Sequence, residues 1–445
     1  MNKEKTFFTC ASCTYKTIKW IGCCPGCNNW DTLKETTLVK NTHCTQNTAS
    51  LQPLSHIPLE EKERMLSGIS EWDRVVGGGI MPSSLIVLTG DPGIGKSTLL
   101  LQICNALAST KKVFYFSTEE SIQQVKHRAL RLGCINELLL ISDESQLESI
   151  IHTAETAHPD IVVIDSIQNC YLTSSNSTPG SVTQLRESTF QLMRLAKEQH
   201  ITVIISGHIT KEGTMAGPKT LEHMVDAVFY LQGEDQWQTR VLRSVKNRFG
   251  TINELGFFEM HSKGLQEITD INKQLLSDMH YCPGSALISL IEGSRPLLLE
   301  LQTLTVPSKL SIPQRVISGI DHKQVVLIAA IIEKYLHIKL SAHDIFCKIS
   351  GGFKINNSAS DLGITLALLS SYFQKELPDN SLILGEISLT GTIKPVKQIN
   401  IYIKEAEKFG IKKIFVAKNQ HIPKTDCSIV TFSNVYELLS LFGSL

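Results

Sequence analysis

The sequence predicts an α/β protein made of three folded units, and three observations lead to that expectation. Two Cys-x-x-Cys hooks, Cys10 with Cys13 and Cys24 with Cys27, fall in an N-terminal stretch too short to bury a core of its own. From residue 67 to about 267, short apolar runs alternate with helical stretches, the pattern of a mostly parallel sheet covered by helices. After Asp270 that alternation restarts. The expected boundaries are a cysteine knuckle at 1–32, a polar tether at 33–62, a first α/β domain at 63–267 and a second at 275–445.

Bulk composition narrows the function classes. A chain of 445 residues with 42% apolar and 19% charged side chains reads as globular. Its 43 basic and 43 acidic side chains cancel, so a polyanion has to be met by a local basic surface. The longest conspicuous apolar run, 325–332, is far below membrane-spanning length, and the N-terminus has no apolar segment of signal-peptide length. The expectation is a cytoplasmic protein with no membrane partner, whose 12 cysteines are thiols or metal ligands rather than disulfides.

Four thiolates at the hook spacing suit tetrahedral zinc, and the metal would supply folding free energy that the small core lacks. Pro25-Gly26 turns the backbone inside the second hook. Cys23 competes with Cys24, although only Cys24 keeps the two-residue spacing to Cys27. A redox pair or incidental cysteines are the other readings. The tract 33–62 is rich in Thr, Asn and Gln, and its His43 and Cys44 read as linker residues.

The first α/β domain is organised around residues 84–102, SLIVLTGDPGIGKSTLLLQ. An apolar strand breaks at Gly90 and an apolar helix resumes after Ser97, the setting a phosphate-binding loop requires. Gly90, Asp91, Pro92, Gly93, Ile94, Gly95, Lys96 and Ser97 form that loop. Its glycines let backbone amides approach an anion, and the helix presents its positive end to the same anion. Lys96 reaches the β/γ-phosphates of ATP and Ser97 holds Mg²⁺. The alternative is a glycine turn that merely opens a helix.

Three further strands carry candidate residues. Residues 113–116 run into Ser117-Thr118-Glu119-Glu120, which offers either a carboxylate to position water or helix-capping residues. Residues 161–164 end at Asp165, a carboxylate suited to Mg²⁺, and the strand 201–205 is followed by His208. Polar segments 171–183 and 211–221 read as substrate-facing loops. Arg240, Arg243, Lys246 and Arg248 sit on a strand and turn, and form either a solvated basic edge or a phosphate contact offered to a neighbouring subunit.

These motifs, in this order, resemble the bacterial RadA (Sms) DNA-repair ATPases: the cysteine pairs, GDPGIGKSTLL, FSTEES, the Asp165 strand, GHITKEGTMAGPKTLEHMVDAV and above all Lys246-Asn247-Arg248-Phe249-Gly250. The resemblance implies a zinc finger, a RecA-like ATPase core and a Lon-protease-like C-terminal domain. It further implies DNA-stimulated ATP hydrolysis, hexameric rings and branch migration of recombination intermediates. Single-stranded and branched DNA and a recombinase filament are the implied partners. Under it Glu119 is the base, Asp165 the magnesium acid, and Lys246 and Arg248 act across the subunit boundary or on DNA. Ser83 stands where the family usually has Gly, which touches a turn.

In the C-terminal third, helices at 325–336, 361–372 and 399–409 alternate with strands at 344–350, 381–389 and 413–417. Gly351-Gly352, Gly385-Glu386-Ile387 and Gly391-Thr392-Ile393 resemble the Lon proteolytic domain. A Lon-type site needs a serine and a lysine. Aligned on that motif, Asn356 to Asp361 puts Ala359 at the nucleophile and the later segment puts Tyr402 at the lysine. The domain therefore reads as scaffold and DNA-binding surface. An ATP-dependent protease and a non-catalytic recombinase adaptor are the competing functions.

Overall fold

The computed structural model describes residues 6–13, 15–37, 53–56, 63–175, 177–208, 221–233, 239–277, 279–350, 353–355 and 357–443. It divides into two compact units, Met1–Glu61 and Lys62–Leu445. Most of the expected tether, with His43 and Cys44, lies outside the described residues, as do most of the loop 211–221, Gly351-Gly352 and Asn356.

In the first unit, strands β1 (Thr6–Cys10), β2 (Lys16–Thr17) and β3 (Leu33–Thr37) form a sheet in the order β2-β1-β3. This corrects the expected boundary at residue 32, because Leu33 to Thr37 pair antiparallel with β1 in the register Cys10↔Leu33. The knuckle needs that third strand: Cys10, Cys24 and Leu33 make up its buried centre.

The second unit begins with helix α1 (Ser70–Val75), followed by β4 (Leu85–Gly90), α2 (Lys96–Leu107), β5 (Val113–Ser117) and α3 (Ile122–Leu132). Next come β6 (Leu139–Ser142), α4 (Leu147–Ala157), β7 (Ile161–Asp165), α5 (Val182–Glu198) and β8 (Thr202–His208). Strands β9 (Ala227–Gly233), β10 (Thr239–Asn247), β11 (Leu255–His261) and β12 (Gly264–Glu267) complete one sheet, ordered β12-β11-β10-β9-β4-β8-β7-β5-β6. From β9 to β6 the pairs are parallel, whereas β10, β11 and β12 extend the sheet antiparallel.

Successive β4 side chains alternate between two cores, as the period of a strand requires. Ile86 and Leu88 pack with Leu99, Leu100 and Ile103 of α2, while Leu85 and Val87 pack with Ile150 of α4 and Leu192 of α5. A sheet covered on both faces puts its functional edge at the strand C-termini.

The C-terminal sheet is ordered β15-β16-β14-β13-β17-β20-β21. It contains the antiparallel hairpin β13 (Ser285–Glu292) and β14 (Arg295–Pro307), then β15 (Arg315–Ser318), β16 (His343–Ile349), β17 (Ser381–Ile383), β20 (Lys413–Ala417) and β21 (Ser428–Phe432). The sequence reading passed over the hairpin and β21. Helix Ile271–Leu276 also belongs here, so this domain starts before residue 275: Asn272 donates to Pro296 O at 2.8 Å and accepts from Leu298 N at 2.8 Å. The strand expected over 381–389 is broken into β17 and β18 (Glu386–Ile387), which pairs with β19 (Ile393–Lys394). The break arises because Gly385 N donates to Ala359 O at 2.9 Å and Gly385 O accepts from Leu362 N at 3.0 Å.

The two α/β halves are joined through Glu71, which is only 2% exposed. Its carboxylate accepts from Arg74 Nη2 at 2.6 Å, Arg295 Nη2 at 2.6 Å and Phe257 N at 2.9 Å. Beside it Gly293, at φ +65°, brings its Cα so close to Asn253 O that a Cβ would lie 1.8 Å from it. Breaking a buried ion pair leaves the partner charges uncompensated. Glu71→Ala is therefore expected to lower the unfolding free energy by about 3–5 kcal/mol, measured by urea denaturation. A loss below about 0.5 kcal/mol would show that Glu71 does not hold the halves together.

Candidate functional site

The turn out of β4 cannot be built with a side chain. Gly90 has φ +156°, and a Cβ there would sit 2.2 Å from Leu231 O on β9. Gly93 and Gly95 also have positive φ, at +76° and +114°. Gly95 is the N-cap of α2, and no side chain caps the helix. The first-turn amides and the helix dipole thus face the space beyond the sheet edge, an arrangement that accepts anions. Asp91, Pro92 and Gly93 are exposed, Ile94, Gly95 and Ser97 half-buried, and Lys96 buried.

Lys96 Nζ donates to Gly90 O at 2.9 Å and to Asp91 O at 3.0 Å. Burial pushes the Lys96 ammonium below its usual range, opposed by the nearby carboxylates of Asp165, Glu119 and Asp91. These groups come from three different segments and meet because β7 lies next to β5 in register Ser117↔Asp165.

Each carboxylate is held differently. Asp165 Oδ2 accepts from Tyr115 Oη at 2.6 Å, and its Oδ1 accepts from Ser206 Oγ. Glu119 Oε1 accepts from Ser166 Oγ. Thr118 fixes the loop between them: its N donates to Asp165 O at 2.9 Å and its Oγ1 to Ser166 O at 2.6 Å. The capping alternative for 117–120 is resolved, since the N-cap of α3 is Ser121, which forms a capping box with Gln124. Glu120 turns away to pair with Arg128.

Tyr115 and Ser206 escaped the sequence reading. The available signal was a hydroxyl at each place in otherwise apolar strands, Tyr115 flanked by Phe114 and Phe116, and Ser206 following Ile205. His208 pairs through its backbone with Gly90 at the same edge.

The four cations on β10 and its following turn do not share one location. Arg240 Nε donates to Ile94 O at 3.3 Å, beside the glycine loop, and Arg243 pairs with Glu292 at 3.2 Å. Lys246 and Arg248 converge instead on the segment before β9. Lys246 Nζ donates to Val225 O at 2.8 Å and to Glu222 O, and Arg248 Nη1 meets Asp226 Oδ1 at 3.2 Å. Asp226 Oδ2 accepts from Leu85 N, the first residue of β4. Lys246 and Arg248 therefore sit at the strand end opposite Gly90, roughly 16 Å away at about 3.3 Å per residue. Within one chain they do not join Lys96, Glu119 and Asp165.

In the knuckle, the ligand atoms of Cys10, Cys13, Cys24 and Cys27 all lie within 4.8 Å of one another, and Cys23 is not among them. Cys10 and Cys27 sulfurs are 3.7 Å apart and those of Cys13 and Cys24 are 3.5 Å apart. A tetrahedron with arms of about 2.3 Å has edges of about 3.8 Å, so the four sulfurs fit zinc. The Thr32 hydroxyl, 3.2 Å from its sulfur, brings Cys10 down to about 6. Cys13 keeps a backbone hydrogen bond from Tyr15 that lowers it, yet contact with Cys24 pushes it up to about 12.

In the C-terminal domain Ala359 and Tyr402 line one cavity of about 800 Å³, together with Ser358, Glu386 and Lys397. Ser358 Oγ donates to Glu386 Oε2 at 3.1 Å rather than to an amine. Tyr402 is buried among apolar side chains, and Lys404 points to solvent. Among the described residues no helix is long and apolar enough to cross a membrane.

Comparison with known proteins matches these parts in order. Residues 8–35 fit the rubredoxin metal binding domain, 52–214 the AAA domain and 320–420 the ChlI subunit of Mg-chelatase. The DNA repair protein RadA of Listeria monocytogenes is 41% identical over 98% of this chain and 98% of its own length. That of Bacillus subtilis is 41% identical over 94% of this chain and 93% of its own, and that of Aquifex aeolicus 39% over 99% and 100%. A metal-binding knuckle, a RecA-like ATPase core and a Lon-protease-like C-terminal domain, matched over nearly the whole length, show that the chain belongs to the family of the DNA repair protein RadA.

Proposed function

We propose that this chain is a DNA-stimulated ATPase of recombinational repair, a ring-forming motor that moves branched intermediates. The observation that carries the reading is the convergence of Lys96, Glu119 and Asp165 at one sheet edge, in front of the uncapped N-terminus of α2. The amides of residues 93–97 receive the phosphates, Lys96 leaves its two carbonyl partners for the β/γ-phosphates, and Glu119 orients the attacking water and takes its proton. Ser97 and Asp165 hold Mg²⁺, which neutralises charge on the phosphates when bound. Cys10, Cys13, Cys24 and Cys27 hold Zn²⁺.

Lys246 and Arg248 serve a nucleotide bound to the neighbouring subunit, as their distance from the chain's own loop supports. A ring, expected to be hexameric, brings one subunit's far edge to the next subunit's phosphates. The loops 171–183 and 211–221 then approach single-stranded or branched DNA, and the recombinase filament is the partner that supplies such intermediates. With balanced net charge, affinity for DNA rests on local phosphate contacts and falls as salt rises. The assembly works in the cytoplasm. The engagement of Ser358 by Glu386, and Ala359 and Tyr402 where Lon has its serine and lysine, favour a scaffold over a peptidase.

Lys96→Ala is expected to reduce DNA-stimulated phosphate release to background with the secondary structure retained by circular dichroism. Undiminished turnover would overturn the site. Adenine nucleotide binding without any hydrolysis by the unaltered chain would favour the adaptor reading. Arg248→Ala is expected to keep ATP binding and lose turnover by about 10³-fold. Mixed with Lys96→Ala subunits it regains part of that activity if the contact is made in trans, and no regain contradicts the trans role. Single Cys→Ser changes with zinc quantitation test the knuckle: loss of zinc in Cys24→Ser but not Cys23→Ser is expected, and the reverse pattern contradicts the ligand set.

A further inference from the structure

The Asp165 carboxylate is held at both oxygens, and neither partner belongs to the nucleotide-binding motifs. Tyr115 lies on β5 and Ser206 on β8, the two strands that flank β7 in the sheet. Register explains the contacts. Ile164 pairs with Ile205, so Ser206 stands beside Asp165, and Tyr115 points to the same sheet face as Ser117, the residue paired with Asp165.

All three side chains are withdrawn from water, with Tyr115 2%, Asp165 8% and Ser206 0% exposed. Tyr115 Oη lies 2.6 Å from Asp165 Oδ2, and because an ionised carboxylate only accepts, the phenol is the donor. A carboxylate has about four lone-pair directions. Two are taken here by hydroxyl donors, which fixes rotation about the Cβ–Cγ bond and leaves the others for a cation, close enough to the phosphate loop that Lys96 feels the charge.

Packing alone does not require that phenol. Phe114 and Phe116 flank it on the same strand, and a third phenylalanine would fill the volume without a polar group to bury. The hydroxyl is kept where it meets the one carboxylate at the end of β7.

We infer that Tyr115 is a positioning residue for the hydrolytic site: with Ser206 it clamps Asp165 in the orientation that receives magnesium. The inference rests on the proposed role of Asp165. Tyr115 itself touches neither nucleotide nor the attacking water. Losing the clamp leaves the carboxylate present but free to rotate, so the cation is held less tightly while the phosphate loop is untouched.

The test is a magnesium titration of ATP turnover by the full-length, zinc-loaded chain with saturating DNA, comparing Tyr115→Phe, Ser206→Ala and Asp165→Asn. Removing the outer partner of a metal ligand typically costs about 10–100-fold in metal affinity or activity. Tyr115→Phe is expected to raise the half-saturating magnesium concentration by about tenfold or more, to recover turnover at high magnesium, and to leave magnesium-free ATP binding unchanged. Ser206→Ala is expected to shift the titration in the same direction, which keeps the inference testable should the tyrosine variant fold poorly. A magnesium titration superimposable on that of the unaltered chain in both variants, with Asp165→Asn inactive, would overturn the clamp alone. Normal turnover and magnesium dependence in Asp165→Asn would instead remove the role of Asp165 and the clamp with it.

Discussion

A buried ammonium at the mouth of an uncapped helix is the constraint on which the rest of this structure depends. Lys96 is 5% exposed, and burying a cation is costly unless acceptors and opposite charges surround it. Here the carbonyls of Gly90 and Asp91 bind it, and Asp165, Glu119 and Asp91 favour its charged form. Asp91 follows β4 itself, Asp165 ends β7, the second strand from β4, and Glu119 follows β5, the third. The parallel order β9-β4-β8-β7-β5 is thus what brings the carboxylates to the glycine loop. Gly90 belongs to the same constraint, because β9 runs so close that its Leu231 carbonyl leaves no room for a Cβ.

The opposite end of the same sheet gives the second half of the account. Lys246 and Arg248 are fixed on the segment 222–226, at the level where β4 begins. A phosphate-binding edge and a cationic edge separated by the length of one strand cannot serve one nucleotide within one chain, but they can between adjacent copies facing the same way. The C-terminal domain is attached farther along β10 and β11, where Arg243, level with Thr89 through Tyr230, pairs with Glu292, and Glu71, bonded to Phe257 N, gathers Arg295 with Arg74.

Much of this was legible in the chain. Runs of four or five apolar residues closing on Gly90, Ser117 or Asp165 read directly as buried parallel strands, since both faces of such a strand are covered. The capping box Ser121-x-x-Gln124 was also readable and would have freed Glu119 from the capping alternative. What the chain hid depends on neighbours distant in sequence. Tyr115 and Ser206 gain meaning only once β5 and β8 flank β7. Gly385 breaks a strand because residues 359–362 bond to its backbone. The β13–β14 hairpin was missed because β13 is mostly apolar and the alternation in β14 buries Thr303 and Thr305 while exposing Leu304 and Val306, and the third strand of the knuckle because Leu33 to Thr37 looks as polar as the tether after it.

The central claim is that a triphosphate is gripped by the amides between Gly90 and Ser97. Amide hydrogen exchange on the full-length, zinc-loaded chain, with and without magnesium and a non-hydrolysable ATP analogue, tests it most directly. The account predicts protection concentrated at residues 93–97, with weaker protection at 117–120 and 165–166. Unchanged exchange at 93–97 under saturating nucleotide would contradict it.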